Sequence, residues 1–192
     1  MDKENKMTYK ILALFGESGA GKDTIQKWIV SNVPHTKGIV SCTTRPKRDY
    51  ETEGVDYHFL TSAEFAERIL DGTMLEATSF NDWFYGTPLE ALEADVVNIG
   101  VFNIAGIECL LEDSRLEVYP IWIWASDKTR LERALNREQD PDYSEICRRF
   151  LADKKDFANI DFDHYVLIND TDLDSDDAMA IEDLGSFIAA ID

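Results

Sequence analysis

Between the apolar run Ile11-Leu12-Ala13-Leu14-Phe15 and a helical pattern that opens at Asp23 lies Gly16-Glu17-Ser18-Gly19-Ala20-Gly21-Lys22-Asp23-Thr24. The spacing Gly16-x4-Gly21-Lys22, after a strand and before a helix, is that of a loop that holds oligophosphate. Glycines allow positive φ, so successive backbone N–H groups can converge on one anion. The helix start adds partial positive charge. Lys22 is placed to reach the terminal phosphates, and Thr24 to offer its hydroxyl to one of them. The residue after the lysine of such loops usually carries a hydroxyl for Mg²⁺. Here that residue is Asp23. Asp23 and Thr24 are therefore the candidates for holding the metal, through water.

A phosphate loop alone specifies a nucleotide, not a reaction. A second set of residues narrows the chemistry. Ser41-Cys42-Thr43-Thr44-Arg45-Pro46-Lys47-Arg48 places two arginines three apart. Gly54-Val55-Asp56-Tyr57-His58-Phe59, then Glu76, then Tyr85-Gly86-Thr87 follow in order. Together with the loop, these motifs resemble guanylate kinase, the nucleoside monophosphate kinase that phosphorylates GMP with ATP. The resemblance covers about residues 9 to 170. It implies a role for each residue, and the chemistry agrees. Arg45 and Arg48 form a guanidinium clamp for a monophosphate dianion, with Pro46 holding the path between them extended. Tyr57 and Tyr85 add hydroxyls to the same phosphate. Glu76 accepts from guanine N1–H and the 2-amino group. Adenine cannot satisfy that carboxylate, a mismatch that discriminates by roughly 10⁴ or more. Ser41 and Thr87 donate to guanine O6.

The resemblance also implies a mobile lid over residues 127 to 158, rich in arginine: Arg130, Arg133, Arg137, Arg148 and Arg149. Arg137 and Arg148 match the arginines that meet the donor phosphates, with Arg149 the alternative to its neighbour. Arg133, and Asn169 at the end of the last strand, join the ATP side. Lys22, Arg45, Arg137 and Arg148 are the candidate catalytic residues. Phosphoryl transfer is mostly positioning plus charge stabilisation, and water must be kept out. A lid that brings arginines only over bound substrates serves both needs.

One segment departs from the family pattern. An acidic pair usually ends the strand before a glycine. Aligned on Gly106, the two acids become Val101 and Asn103. Asn103 can still hydrogen-bond the acceptor but is a poorer partner for a metal shell.

These residues need a scaffold. Residues 9 to 15, 39 to 44, 96 to 101, 118 to 125 and 165 to 169 read as strands. Pro120 is expected at the start of its strand, and the last strand is expected to be buried. Helical patterns cover about 23 to 32, 62 to 71, 88 to 94, 104 to 112, 126 to 138, 143 to 158 and 175 to 191, with Thr61 to Glu64 capping the second. Short strands at 74 to 80 and 83 to 87 flank a turn. Residues 1 to 7 read as a frayed leader. The alternation predicts an α/β fold with a parallel sheet flanked by helices. With the loop it is a P-loop NTPase-type fold, carrying a small mixed α/β insert that binds the monophosphate and a helical lid. The expected division is a core of 8–40, 88–126 and 159–192, a GMP-binding region of 41–87 and a lid of 127–158.

Composition sets the remaining bounds. The 192 residues carry a net charge of −19, which repels nucleic acid and anionic lipid. Fourteen of the 19 Lys and Arg lie in two windows, Lys22 to Arg48 and Lys128 to Lys155, which marks two places where anions are met. Three cysteines at unrelated spacings fit neither a disulfide framework nor a metal site. No apolar stretch is long enough to span a membrane. The expectation is a cytoplasmic enzyme, monomer or homodimer, acting on ATP and GMP, with dGMP also accepted and Mg²⁺ as cofactor. Two alternatives stay open at this point: a nucleoside monophosphate kinase of other or broader base preference, and a non-catalytic guanylate-kinase-like binding module.

Overall fold

The computed structural model describes residues 8–49, 51–80, 82–137, 140–170 and 177–192. The expected leader, residues 1 to 7, lies outside them. In chain order the elements are β1 (Tyr9–Phe15), α1 (Lys22–Asn32), β2 (Thr36–Gly38), β3 (Cys42–Thr43), β4 (His58–Phe59), α2 (Ser62–Leu70), β5 (Met74–Phe80), β6 (Trp83–Pro88), a 3₁₀ turn (Leu89–Ala91), β7 (Val97–Val101), α3 (Ile104–Glu112), β8 (Leu116–Trp124), α4 (Asp127–Asn136), α5 (Tyr143–Asp156), β9 (Tyr165–Ile168) and α6 (Asp177–Ile191).

Five strands form one sheet in the order β2-β7-β1-β8-β9, and every pairing is parallel. A parallel sheet is buried on both faces, so its strands read as continuous apolar runs. β1 obeys this: Ile11 through Phe15 are wholly buried. Successive side chains point to opposite faces. Leu12 and Leu14 join Ile25, Ile29, Leu184 and Ile188 beneath α1 and α6. Ile11, Ala13 and Phe15 join Ile107 and Leu110 of α3. β1 thus enters the middle of the core and releases the phosphate loop at its C-terminal end.

A second sheet, β4-β3-β6-β5, is mixed: β3 runs parallel to β4 and antiparallel to β6, and β5 is antiparallel to β6. α2 covers it through Phe65, which stacks on Phe84 at 5.7 Å. A capping box starts α2, with the Thr61 hydroxyl accepting from Glu64 N and the Glu64 carboxylate accepting from Thr61 N.

Four expectations are corrected. The stretch 39 to 44 is not one strand. Only Cys42–Thr43 within it is strand, β3 of the small sheet; β2 of the large sheet already ends at Gly38, and the chain crosses from one sheet to the other between them. Residues 88 to 94 form only the 3₁₀ turn, since Leu92 is already extended, with φ −84° and ψ 148°. Pro120 is mid-strand rather than first. It faces Ala13 of β1, while β9 joins β8 only from Ile121, so at Pro120 the strand has a partner on one side alone. β9 is not buried either: Tyr165, Val166 and Ile168 are each more than half exposed at the sheet edge. The first residues expected for the C-terminal helix, 175–176, and the last expected for the helix over 126 to 138, residue 138, lie outside the described residues.

Candidate active site

The donor side is the loop between β1 and α1. Gly19 and Gly21 hold φ of +82° and +96°, where a side chain is strained. At Gly19 there is also no room. A Cβ would lie 2.5 Å from the backbone oxygen of Arg130. Lys22 curls back over the loop, donating to Gly16 O at 2.7 Å and Glu17 O at 3.1 Å. Burial pushes its amine below the usual lysine range, with Asp23 among the groups opposing that shift. Asp23 and Thr24 are exposed at the first turn of α1.

The back of the loop is held by side chains. Asn169 Nδ2 donates to Ala20 O at 2.8 Å, and Asn169 itself is buried. Arg133 Nη1 donates to Asn169 O at 3.1 Å and to Ala20 O at 3.3 Å. Glu17 turns inward, where its carboxylate meets Arg130 at 2.8 Å. Ser18 N donates to the carboxylate of Asp153 at 2.6 Å.

On the acceptor side, the pairing of β3 with β6 brings Arg45, Tyr57 and Tyr85 together. The Arg45 guanidinium stands 5.6 Å from the Tyr57 ring centre, and the two tyrosine rings meet edge-on at 6.1 Å. Burial lifts the Tyr57 hydroxyl to about 12, with Asp23 adding to the shift. Tyr57 therefore stays protonated and can donate to an anion. The Thr43 hydroxyl accepts from Arg45 N at 3.1 Å and fixes where the arginine starts. Glu51 then orders the clamp, receiving both Nη atoms of Arg45 and the backbone N–H of Arg48 at 2.8 Å. Burial alone would raise the Glu51 carboxyl; the hydrogen bonds from Arg45 and Arg48 more than reverse this and hold it below its usual range.

Next to the clamp, Glu76 of β5 pairs with Thr87 of β6. Glu76 is buried, and burial raises its pKa to about 7. Ser41 and Thr87 hydroxyls lie 3.3 Å apart. Asn103 sits beside this group in another task. Its Oδ1 caps α3 by accepting from Gly106 N at 2.7 Å, and its Nδ2 donates to Thr78 Oγ1 at 2.8 Å. A Cβ at Gly106 would come within 3.3 Å of Glu76 Oε2. Lys27 of α1 reaches Asp56 at 3.2 Å, tying the acceptor strands to the helix that starts at the donor loop.

The remaining candidates stand apart. Arg148 and Arg149 of α5 both bind Glu145, at 2.6 Å each. Those hydrogen bonds, Arg148 first, hold the Glu145 carboxyl down at about 2. Arg137 is exposed at the end of α4.

The arrangement sets a glycine-rich loop ahead of α1 and, linked to that helix through Lys27 and Asp56, an arginine–tyrosine cluster beside a buried carboxylate. A family model described as guanylate kinase matches residues 8–190. The chain belongs to the guanylate kinase family. It is 30% identical over 173 residues to a guanylate kinase of Helicobacter hepaticus, covering 88% of this chain and 86% of that one. It is 34% identical over 166 residues to a guanylate kinase of Agrobacterium fabrum, covering 83% and 74%. The crystal structure of guanylate kinase from Anaplasma phagocytophilum shares the fold with a TM-score of 0.71, at 24% identity, covering 96% of this chain and 87% of that chain.

Within this guanylate kinase frame, sequence reading passes over Thr43, Glu51, Arg130 as an internal partner, and Asp153. Glu51 is one of 38 acidic residues, and nothing local marks it as the one that meets Arg45. Asp153 lies 135 residues from the Ser18 amide that it binds, a distance that no spacing rule spans.

Proposed function

We propose that this chain transfers the γ-phosphoryl group of ATP to GMP, giving ADP and GDP by direct in-line displacement, and that it also accepts dGMP. The observation that carries this reading is the β3–β6–β5 pairing, which sets the Arg45 clamp beside the Glu76–Thr87 pair. A phosphate held at the first lies next to a purine read by the second.

In this reading the loop Gly16 to Thr24, through N–H groups other than that of Ser18, which Asp153 holds, and the Lys22 amine take the donor phosphates, with Arg133, Arg137, Arg148 and Asn169 on the same side. Arg148 must leave Glu145 to do so, which closure of a lid over 127–158 supplies. Arg45, Arg48, Tyr57 and Tyr85 hold the acceptor phosphate in line, Arg45 turning from Glu51 toward it. Glu76 selects guanine, with Ser41 and Thr87 at O6. Asn103 serves mainly by holding α3 and Thr78 in place against Glu76. The chemistry is positioning and charge stabilisation with no covalent intermediate. The working division is the core, the GMP-binding region 41–87 and the lid.

The donor set suits a Mg²⁺ carried in with the nucleotide. Asp23 and Thr24 offer exposed oxygen ligands at the mouth of the loop. Among the described residues no group of three or more His, Cys, Asp or Glu could hold a metal unaided. Mg²⁺ keeps several waters and leans on substrate phosphates, so one or two side chains suffice. Bound there, it neutralises charge on the phosphates. The acidic surface speaks against nucleic acid as a partner. Among the described residues no helix is long and apolar enough to cross a membrane. A cytoplasmic monomer or homodimer completes the reading.

ADP release measured over GMP, dGMP, AMP, CMP and UMP, with and without Mg²⁺, tests it. Turnover of the guanine nucleotides alone, dependent on Mg²⁺, is expected. Comparable rates with AMP or UMP would remove Glu76 from its role, and no turnover with any of them would leave a binding module. Asp23→Ser is expected to shift the Mg²⁺ concentration needed for half-maximal rate; an unchanged curve takes Asp23 out of the metal's surroundings.

A further inference from the structure

Behind the donor loop lies a buried cluster that the reaction scheme above does not use. Arg130 of α4 is 1% exposed, and Glu17 and Asp153 are each 5% exposed. Arg130 Nη1 donates to Glu17 Oε1 at 2.8 Å and to Asp127 Oδ1 at 3.1 Å. Nη2 donates to Asp153 Oδ2 at 3.1 Å. Nε donates to the backbone oxygen of Ser18, also at 3.1 Å. The Asp153 carboxylate accepts from Ser18 N. Phe150 closes the cluster, its ring centre 5.1 Å from the guanidinium carbon.

Taking three charges out of water is a poor way to gain stability. Apolar side chains of similar volume do as well or better. What apolar groups cannot do is hydrogen-bond a peptide. Here the N–H and the C=O of one loop residue, Ser18, are each held by a side chain, one from α5 and one from α4. A phosphate loop works through the direction of its N–H groups, and Ser18 immediately precedes the Gly19 turn. The same two helices carry Arg133, Arg137, Arg148 and Arg149.

We propose that Arg130, with Glu17 and Asp153 as its buried counter-charges, is a positioning cluster for phosphoryl transfer, fixing the Ser18 peptide of the donor loop to the roots of the two arginine-bearing helices. This rests on reading Gly16–Thr24 as the ATP loop. It makes α4 near Arg130 and α5 near Asp153 fixed points, so both ends of the proposed 127–158 lid stay with the donor loop when the lid closes.

The test varies ATP and GMP separately in steady-state kinetics. Asp153→Ala is expected to raise KM for ATP about tenfold or more while KM for GMP stays within about twofold, the pattern of a displaced donor loop. Asp153→Asn, whose carbonyl still accepts from Ser18 N, is expected to recover most of the loss. Equal changes in both KM values, or no rescue by Asn, overturn the proposal. Because Asp153→Ala leaves Arg130 short of a partner and can fail to fold, the triple variant Glu17→Leu/Arg130→Met/Asp153→Leu serves as the second arm. It removes the three charges of the cluster together, so none of them is left without its partners. It is expected to keep the parental melting temperature yet show the raised KM for ATP; parental kinetics in that variant would mean that packing alone places the loop. In the unmodified enzyme the Ser18 amide is expected to exchange slowly, with or without ADP, and rapid exchange overturns the proposal outright. Absence of GMP turnover in the parent would sink the functional reading instead, while the exchange measurement would still judge the cluster.

Discussion

Arg45 and Glu51 meet edge to edge, with Nη1 3.0 Å from Oε2 and Nη2 2.7 Å from Oε1. Two parallel N–H···O bonds are the geometry that a guanidinium also uses for phosphate. The carboxylate thus keeps the planar guanidinium oriented beside Tyr57 and Tyr85. Phosphate binding then requires a short exchange of partners rather than a search through rotamers.

Glu51→Ala tests this. Both side chains of the pair are nearly buried, so removing one leaves an uncompensated charge. A stability loss of about 3 kcal/mol is expected. KM for GMP is expected to rise on the order of tenfold or more as the clamp loses its order, with KM for ATP unchanged. Urea titration and two-substrate kinetics give both numbers. A GMP response matching the parent would reduce Glu51 to a structural contact.

The Glu76 carboxyl, raised to about 7 from its ordinary 4.5, has two consequences. Folding favours its protonated form. The stability this lends is complete below the unfolded value, about 4.5, and is lost as pH rises through 7. Relative to Glu76→Gln, the parent is therefore expected to lose roughly 3 kcal/mol between pH 4.5 and pH 8, read from denaturation midpoints. Guanine needs the ionised form, so binding expels a proton. GMP affinity is expected to weaken about tenfold per pH unit well below 7. Glu76→Gln controls for titration of GMP's own phosphate and is expected to bind weakly with the Glu76-dependent slope gone.

Lys22→Met keeps a long apolar stem and deletes the charge. Loss of a preorganised donor to developing negative charge costs on the order of 10²–10³ in kcat, and a drop of that size is expected here. The buried ammonium is also a burden in the absence of nucleotide, since burial depresses its pKa. The variant is accordingly expected to be at least as stable as the parent, by thermal denaturation without ATP.

Gly19→Ala places a methyl on a residue at φ +82°, 2.5 Å from the Arg130 carbonyl. Strain in the left-handed region costs about 1–2 kcal/mol, and backbone on backbone leaves little room to relax. A loss above about 2 kcal/mol and a raised KM for ATP are expected together. Gly72→Ala is the control: its φ is also positive but no atom lies within 4 Å of the added carbon. Strain alone is expected there, with kinetics unchanged.

Local chemistry was legible in the sequence wherever its spacing was local. The Gly16-x4-Gly21-Lys22 loop, the capping box from Thr61 and the strand before Gly16 each stand where their residue patterns place them. Residues 39 to 44 read as one strand, though only Cys42–Thr43 is strand and β2 ends before them at Gly38, because apolar periodicity records burial and not which sheet a residue pairs with. Pro120 was misplaced because its tolerance depends on β9 starting one residue later, a fact of long-range register. The two acids that engage the site from within, Glu51 and Asp153, were invisible among many others. The family pattern points Asn103 at the acceptor and is silent on its second task, in which its Oδ1 completes the first turn of α3.

β1 stands third of five in the large sheet, its middle shielded from water on every side. The glycine-rich loop is spliced to the end of this strand, whereas Glu76 and Thr87, the residues proposed to read the base, hang on β5 and β6 of the separate four-stranded sheet. Gentle denaturant should therefore melt guanine recognition first and spare the triphosphate cradle, leaving a chain that still captures ATP after it has forgotten its acceptor.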